Sequence, residues 1–357
     1  MKKFLAMLLV AAMVFSMAAC AKAPEAAQPA ATEETAGETA ETAEAPKDGK
    51  VYKVAMICDS SISDGGWGMS CYNAMMDAAE KHGWETAVSD SIEQSAYFDT
   101  IDSYCTLGYD MIYAPGNQYT DAVLQAAAEY PDIAFALLNG AADTPAKAEN
   151  GNVSSLLPNA TQIGWIAGAL AGLITENGTI AFIGGMELDT TKGKYEGYKE
   201  AAAYVAEKAG KTATTLDIVY SNSFSASDKG IEFAKAMMDK GADVFFGDAS
   251  AVDSGARQAI DEYNAAQGSV KVFDIAQPAD LLGQNECIIG SQVTDNSAMV
   301  GACMEAVEAG KLGGDVIYGT LENGALSAGA VADIVPAEVK EQYAAYIEEM
   351  KAGTFMK

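Results

Sequence analysis

Residues suited to holding a small molecule recur along this chain, each group following a short apolar run. After residues 51–58 come Asp59, Ser60 and Ser61, then Asp64, Gly65, Gly66, Trp67 and Gly68. After residues 110–114 stand Pro115, Gly116 and Asn117, and after 133–138 come Asn139 and Gly140. Farther along lie Gly184-Gly185-Met186, Asn222-Ser223-Phe224, Gly247-Asp248-Ala249-Ser250 and Asp274. Glycines let backbone approach a ligand closely. Carboxylates and amides exchange hydrogen bonds with hydroxyls, while Trp67 and Phe224 offer flat apolar faces. That combination suits a ring carrying a sugar. A carboxylate bonded to a ligand hydroxyl contributes roughly 1.5–3 kcal/mol, and a stacked base roughly 1–3 kcal/mol. Asp59 and Asp274 read equally well as caps of following helices, and Met186 as core filler.

The same residues make poor catalytic machinery. His82 is the sole histidine and falls at a predicted helix end, outside these turns, so a Ser-His-Asp or Cys-His catalyst has no base there. No GxSxG elbow, P-loop or HExxH run occurs, and no Cys/His group has metal-ligand spacing. Paired carboxylates among Asp59, Asp64 and Asp274 leave a nucleoside hydrolase as the enzymatic alternative. Arg257 is the only arginine, and it falls within a predicted helix. Bidentate grip on a carboxylate or phosphate typically uses arginine, so the ligand expected is neutral. The net charge of −28 argues against nucleic acid and against a polybasic hold on anionic lipid.

The elements that must position these residues alternate. Apolar runs at 51–58, 86–88, 110–114, 133–138, 179–183, 214–220, 243–246 and 270–274 read as strands. Amphipathic stretches at 69–82, 97–107, 119–129, 160–175, 193–209, 228–239 and 253–266 read as helices. Short buried strands separated by helices make parallel sheets covered on both faces. Two such series in a body of about 300 residues give two Rossmann-like α/β lobes rather than one oversized sheet. Ligands of open α/β sheets bind at the carboxyl ends of strands, where the turns above lie.

The N-terminus reads as an export signal. Lys2 and Lys3 precede an apolar run at 4–15, then Met17-Ala18-Ala19 and Cys20. A run of about a dozen residues suits a signal peptide, since a spanning helix needs roughly 20. Residues 1–19 are the expected signal peptide and Cys20 the expected lipidation site, placing the chain at the extracytoplasmic face of the cell membrane. Residues 21–50, with three prolines and almost no large apolar side chain, read as a disordered acidic tether. The other five cysteines form no CxxC and read as buried thiols rather than a disulfide framework.

Several segments together carry a resemblance: KVAMICDSSISDGGWGMSCYNAM, the block from NVSSLLPNATQIGW to IAFIGGMEL, KYEGYKEAA, SFSASDKGIEFAKAMMDKGADVFFGDA and VFDIAQ. The chain resembles the basic membrane protein (BMP) family, substrate-binding lipoproteins of ABC transporters, over about residues 51–335. The resemblance implies a type I periplasmic-binding-protein fold with a three-segment hinge. The first lobe would comprise 51–157 with about 276–310, the second 158–275 with about 311–357. It implies a purine nucleoside held between the lobes, no cofactor, and permease and ATPase subunits as partners. Carried across, Asp59, Gly116 and Asn139 lie in the first lobe, with Trp67 stacking on the base. Phe224 stacks from the second lobe, Gly185, Met186 and Asp248 line the cleft, and Asp274 binds ribose hydroxyls. Three positions depart from the family pattern. Thr294 stands where a lysine helps hold ribose, Gly66-Trp67-Gly68 replaces a Ser-Phe-Asn segment, and Asn139 replaces an aspartate. A free base, a sugar or another neutral ring therefore stays open as ligand, and sensing as an alternative role.

Overall fold

The computed structural model describes residues 49–63 and 67–357. The expected signal peptide, Cys20, nearly all of the tether and Asp64-Gly65-Gly66 lie outside the described residues.

The first series begins with β1 (Lys53–Ile57), α1 (Trp67–His82), β2 (Glu85–Ser89) and α2 (Tyr97–Thr106). It continues through β3 (Met111–Pro115), α3 (Thr120–Glu129), β4 (Ala134–Leu138) and β5 (Val153–Pro158). The second opens with α4 (Ala160–Ile174), β6 (Thr179–Gly184), α5 (Asp189–Lys208), β7 (Thr214–Thr215) and β8 (Val219–Tyr220). Then follow α6 (Ser227–Met238), β9 (Val244–Asp248), α7 (Ala251–Gln267), β10 (Phe273–Ala276) and β11 (Ile288–Thr294). The chain ends with α8 (Ser297–Glu308), β12 (Val316–Gly319), β13 (Leu326–Ala328) and α9 (Ala337–Lys351).

Two sheets result, ordered β12-β5-β4-β3-β1-β2 and β13-β11-β10-β9-β6-β7, with β8 also pairing β6. Among the described residues, only the β11–β13 pairing is antiparallel. The central strands are apolar on both faces because both faces are covered. In the first lobe α1 and α8 pack over Met56, Tyr113 and Leu138, while α2 and α3 cover Ile57, Ile112 and Leu137. In the second, α4, α5 and α9 cover Phe182, Phe246 and Ile289, and α6 and α7 cover Phe245 and Ile288. Cys58, Cys71, Cys105, Cys287 and Cys303 are buried, and no disulfide occurs among the described residues.

The chain passes between the lobes after β5, after β11 and after β12. The last two crossings correct the expected boundaries. Residues 276–294 belong to the second lobe, because β11 pairs with β10 and β13, and β12 returns to the first lobe beside β5. An apolar run announces a strand but not the sheet that takes it. The three crossings are stitched to one another. The Asn159 N–H donates to the Gly319 carbonyl (2.8 Å), that of Asp295 to Ala325 (2.7 Å) and that of Leu326 to Thr320 (3.0 Å). All three depart from carboxyl ends of strands. The turns that follow the parallel strands therefore gather on the hinge side of each lobe.

Candidate functional site

In the first lobe, Asp59 follows β1 and is exposed. Its backbone N–H donates to the Tyr119 hydroxyl (2.6 Å). Its carboxylate accepts from the Tyr97 hydroxyl (3.1 Å) and the Gln118 amide (3.0 Å). Burial, followed by the Asp59 charge, pushes Tyr97 up to about 12 and raises Tyr119 as well. Both phenols thus stay protonated, and Tyr97 remains a donor to Asp59. Gly116 makes room for this arrangement. A Cβ there would lie 2.2 Å from Gln118 Oε1, so its absence lets the Gln118 side chain fold back to Asp59. Trp67 opens α1, half-buried, with its indole N–H donating to the Pro115 carbonyl (3.0 Å). That bond fixes the ring against the lobe. Asn139 follows β4 at φ 59°, a left-handed conformation that asparagine tolerates better than most, and its N–H donates to the Leu156 carbonyl (2.9 Å).

In the second lobe, Gly185 is the floor beneath Phe224. A Cβ on Gly185 would come within 2.4 Å of the Phe224 ring, so only glycine lets the ring lie there. The ring keeps 42% of its surface exposed, and Met186 beside it keeps 37%. The Gly185 N–H donates to the Asp248 carbonyl (2.9 Å), tying this loop to the end of β9. Asp248 accepts from Thr191 Oγ1 (2.6 Å) and Lys194 Nζ (2.7 Å), both on the first turns of α5. Burial pushes the Asp248 carboxyl up, but the Lys194 charge and the two hydrogen bonds outweigh it and hold the group below its ordinary value. Lys194 also donates to Gln277 Oε1 (2.9 Å), and the Gln277 amide donates to the Gly247 carbonyl.

Asp274 does not join this group. It is 3% exposed, the second residue of β10, and its carboxylate takes the Arg257 guanidinium at 2.7 Å. The expectation that it binds ribose hydroxyls is corrected: a carboxylate buried beneath the sheet and paired there cannot reach the strand ends. The same bond puts Arg257 inside the lobe, with no part in ligand recognition. Thr294 ends β11, its N–H on the Pro278 carbonyl (2.8 Å) and its hydroxyl on the Gln292 side chain. His82 sits apart, at the end of α1, where it and Trp84 share Glu308 Oε1 (3.1 and 2.8 Å).

Two lobes on a three-strand hinge, each presenting an aromatic ring and a polar cluster at its strand ends, fit the family match found over residues 51–352, described as ABC transporter substrate-binding protein PnrA-like. The chain belongs to the Bmp family. The CD4+ T-cell-stimulating antigen of Listeria monocytogenes is 25% identical over 215 residues, covering 58% of this chain and 57% of that protein. The chain thus spans little more than half the length of that relative. The ABC transporter nucleoside-binding protein BmpA of Lactococcus lactis is 25% identical over 309 residues, 82% of this chain and 85% of that one. A solved ABC transporter solute-binding protein from Conexibacter woesei superposes with a TM-score of 0.67 at 20% identity, covering 86% of this chain and 98% of that one. The two-lobed body is therefore the type I periplasmic-binding-protein fold. The Bmp family and these structural neighbours are solute-binding proteins rather than enzymes.

Some residues that build this Bmp-family site escape a reading of strand-end turns. Tyr97, Gln118 and Tyr119 orient Asp59 from the starts of α2 and α3. Thr191, Lys194 and Gln277 surround Asp248. Gln277 directly follows β10. The apolar run at 270–274 ends on Asp274, whereas β10 spans Phe273–Ala276 and puts the strand end beside Gln277. Among the described residues, no helix is long and apolar enough to cross a membrane.

Proposed function

We propose that this chain captures a neutral purine nucleoside between its lobes and hands it to the permease and ATPase of an ABC importer. In this reading Cys20 carries the lipid that keeps the protein at the extracytoplasmic face of the membrane. The observation that carries the ligand assignment is the Phe224 ring. It packs against Gly185 while keeping 42% exposure, and Gly185 is bonded to the Asp248 carbonyl of the Lys194–Asp248–Gln277 cluster at the ends of β9 and β10. A stacking face adjoining hydrogen-bonding groups suits a base joined to a sugar. Trp67 and Asp59 offer the same pair of features from the first lobe. The nucleoside-binding description of the Lactococcus relative supports the same ligand class.

Closure brings the two sets together around the solute. Trp67 and Phe224 would take the base, while Asp59, Asn139 and the Thr294 hydroxyl supply polar contacts near the hinge. No bond of the solute is broken in this scheme.

A thermal-shift screen of nucleosides, free bases, sugars and amino acids against the purified protein tests the assignment. A ligand present at a hundred times its Kd stabilises by about 2.7 kcal/mol, so inosine, adenosine or guanosine should raise the melting temperature by several degrees. Replacing Trp67 by Ala should then weaken binding about tenfold or more in calorimetry, the stacking energy of one base. Stabilisation by sugars or amino acids alone would overturn the nucleoside assignment.

A further inference from the structure

Lys194 is a lysine whose ammonium is held in place at the site. Its side chain is only 16% exposed, and its head sits between groups from two neighbouring strands. Asp248 Oδ1, at the end of β9, accepts at 2.7 Å, and Gln277 Oε1, just beyond β10, at 2.9 Å. An ammonium carries three N–H donors. Two are engaged by these partners and one is left over, on a residue pair whose Asp248 carbonyl accepts from Gly185, the glycine against which the Phe224 ring packs.

The surrounding groups are themselves tied down. Asp248 is held through its other oxygen by Thr191 (2.6 Å), and the Gln277 amide N–H reaches the Gly247 carbonyl. The backbone of Lys194 is fixed as well, because its carbonyl packs against Gly164 of α4, where a Cβ would approach to 2.2 Å. A long side chain ordinarily loses rotamer entropy when a ligand recruits it. Here that entropy has already been lost in folding. The Asp248 carboxylate balances the ammonium charge at contact distance. The pair therefore offers a strong directional donor without a net positive charge that would select for an anion.

We infer that Lys194 is the specificity-determining reader of the second lobe: its third N–H donates to one neutral acceptor, a ring nitrogen or a hydroxyl oxygen, of the solute stacked on Phe224. This rests on the nucleoside reading above and sharpens it. Asp248, whose two oxygens are committed to Thr191 and Lys194, becomes the group that positions the reader rather than a direct ligand contact.

Calorimetry on the full chain tests it with Lys194→Met and with the double variant Lys194→Met/Asp248→Asn, which leaves no stranded carboxylate. Each is titrated with a parent purine nucleoside and with analogues lacking one acceptor apiece: 3-deaza, 7-deaza, 2′-deoxy, 3′-deoxy and 5′-deoxy. Both variants should bind the parent about tenfold or more weakly, the loss of one charge-assisted hydrogen bond. For one analogue, the one missing the acceptor that Lys194 reads, that penalty should vanish. An equal penalty for every analogue would mean that Lys194 only supports the loop, and would overturn the inference. So would recovery of binding in the double variant, which would show that Lys194 merely neutralises Asp248. Wild-type protein that binds no nucleoside would sink the nucleoside reading. Wild-type protein that binds and Lys194→Met protein that binds equally well would sink the Lys194 assignment alone.

Discussion

Two carboxylates share one guanidinium inside the second lobe, and that imbalance has a pH signature. Asp253 and Asp274, both buried, face Arg257 from α7 and β10. Burial pushes the Asp253 carboxyl up to about 7, with Arg257 and the Ala249 N–H opposing it, and burial raises Asp274 too. Between the ordinary carboxylate value of 3.8 and about 7, the folded chain holds a proton on Asp253 that the unfolded chain has released. Stability from this group is therefore complete below the ordinary value and is lost as pH rises through 7. Asp253→Asn keeps an acceptor for Ala249 and leaves Arg257 and Asp274 as a balanced pair. It should stabilise the protein by about 4 kcal/mol at pH 8, with the gain shrinking to nothing near pH 4. Denaturation curves across that range check it, and a pH-independent difference would rule it out. Residue types alone marked Asp59, Trp67, Phe224 and Asp248, because the chemistry of binding selects those types at strand ends. They also marked Asp274, whose type is equally right and whose depth in β10 depends on a strand end two residues beyond where the apolar run suggests. Whether a carboxylate faces solvent or a buried arginine is a tertiary fact that local pattern does not contain.

At the scale of elements, the α4–α5 pair couples the hinge to the site. Gly164, Gly168 and Gly172 make a stripe four residues apart along α4, and on each a Cβ would fall 2.2–2.4 Å from a backbone oxygen of α5. From the other side, a Cβ on Gly197 of α5 would fall 2.3 Å from the Thr161 carbonyl oxygen. Side-chain-free contact lets the two helices lie nearly backbone to backbone. The oxygen facing Gly164 is that of Lys194, whereas the one facing Gly168 is that of Tyr198, a turn farther from the strand ends. Alanine at either position should cost about 1–3 kcal/mol of stability by overpacking. Only Gly164→Ala should also weaken nucleoside binding, because it displaces the backbone that carries Lys194. Melting curves and calorimetry on the two variants separate the effects, and an equal loss of affinity in Gly168→Ala would argue against this route. The glycine spacing was open to view in the sequence, and so was the alternation of strand and helix. The start of α5 was not: helix read from residue 193 begins at Asp189, since Thr190 and Thr191 are weak helix formers that the Leu188 turn and the packing on α4 carry into the helix. That shift leaves Thr191 outside the expected helix.

For the whole molecule, the decisive feature is that three chain crossings lie side by side and that one side chain ties the first of them to the last. Gln162, buried on α4, accepts the Leu321 N–H (2.9 Å) and donates to both Glu322 oxygens (3.1 and 3.0 Å). It thereby fastens the second lobe's first helix to the last crossing. The two-lobe division was legible from chain length and from the two series of strands. The chain's return through β12 was not, because its short run carries no mark of the sheet it joins. Affinity in such a molecule is the product of contacts made in the closed form and the fraction of molecules able to close. Contacts are specific to each solute, while the closing equilibrium is common to all. Gln162→Ala leaves the buried Leu321 N–H without its acceptor, a cost of about 1–3 kcal/mol, and frees the crossing it held. It should therefore lower the melting temperature and change the affinities for inosine, adenosine and guanosine by one common factor. Lys194→Met, by contrast, should discriminate among acceptor-deleted analogues. Calorimetry of the three nucleosides with both proteins distinguishes hinge from site, and a Gln162→Ala effect confined to a single nucleoside would place Gln162 in recognition instead.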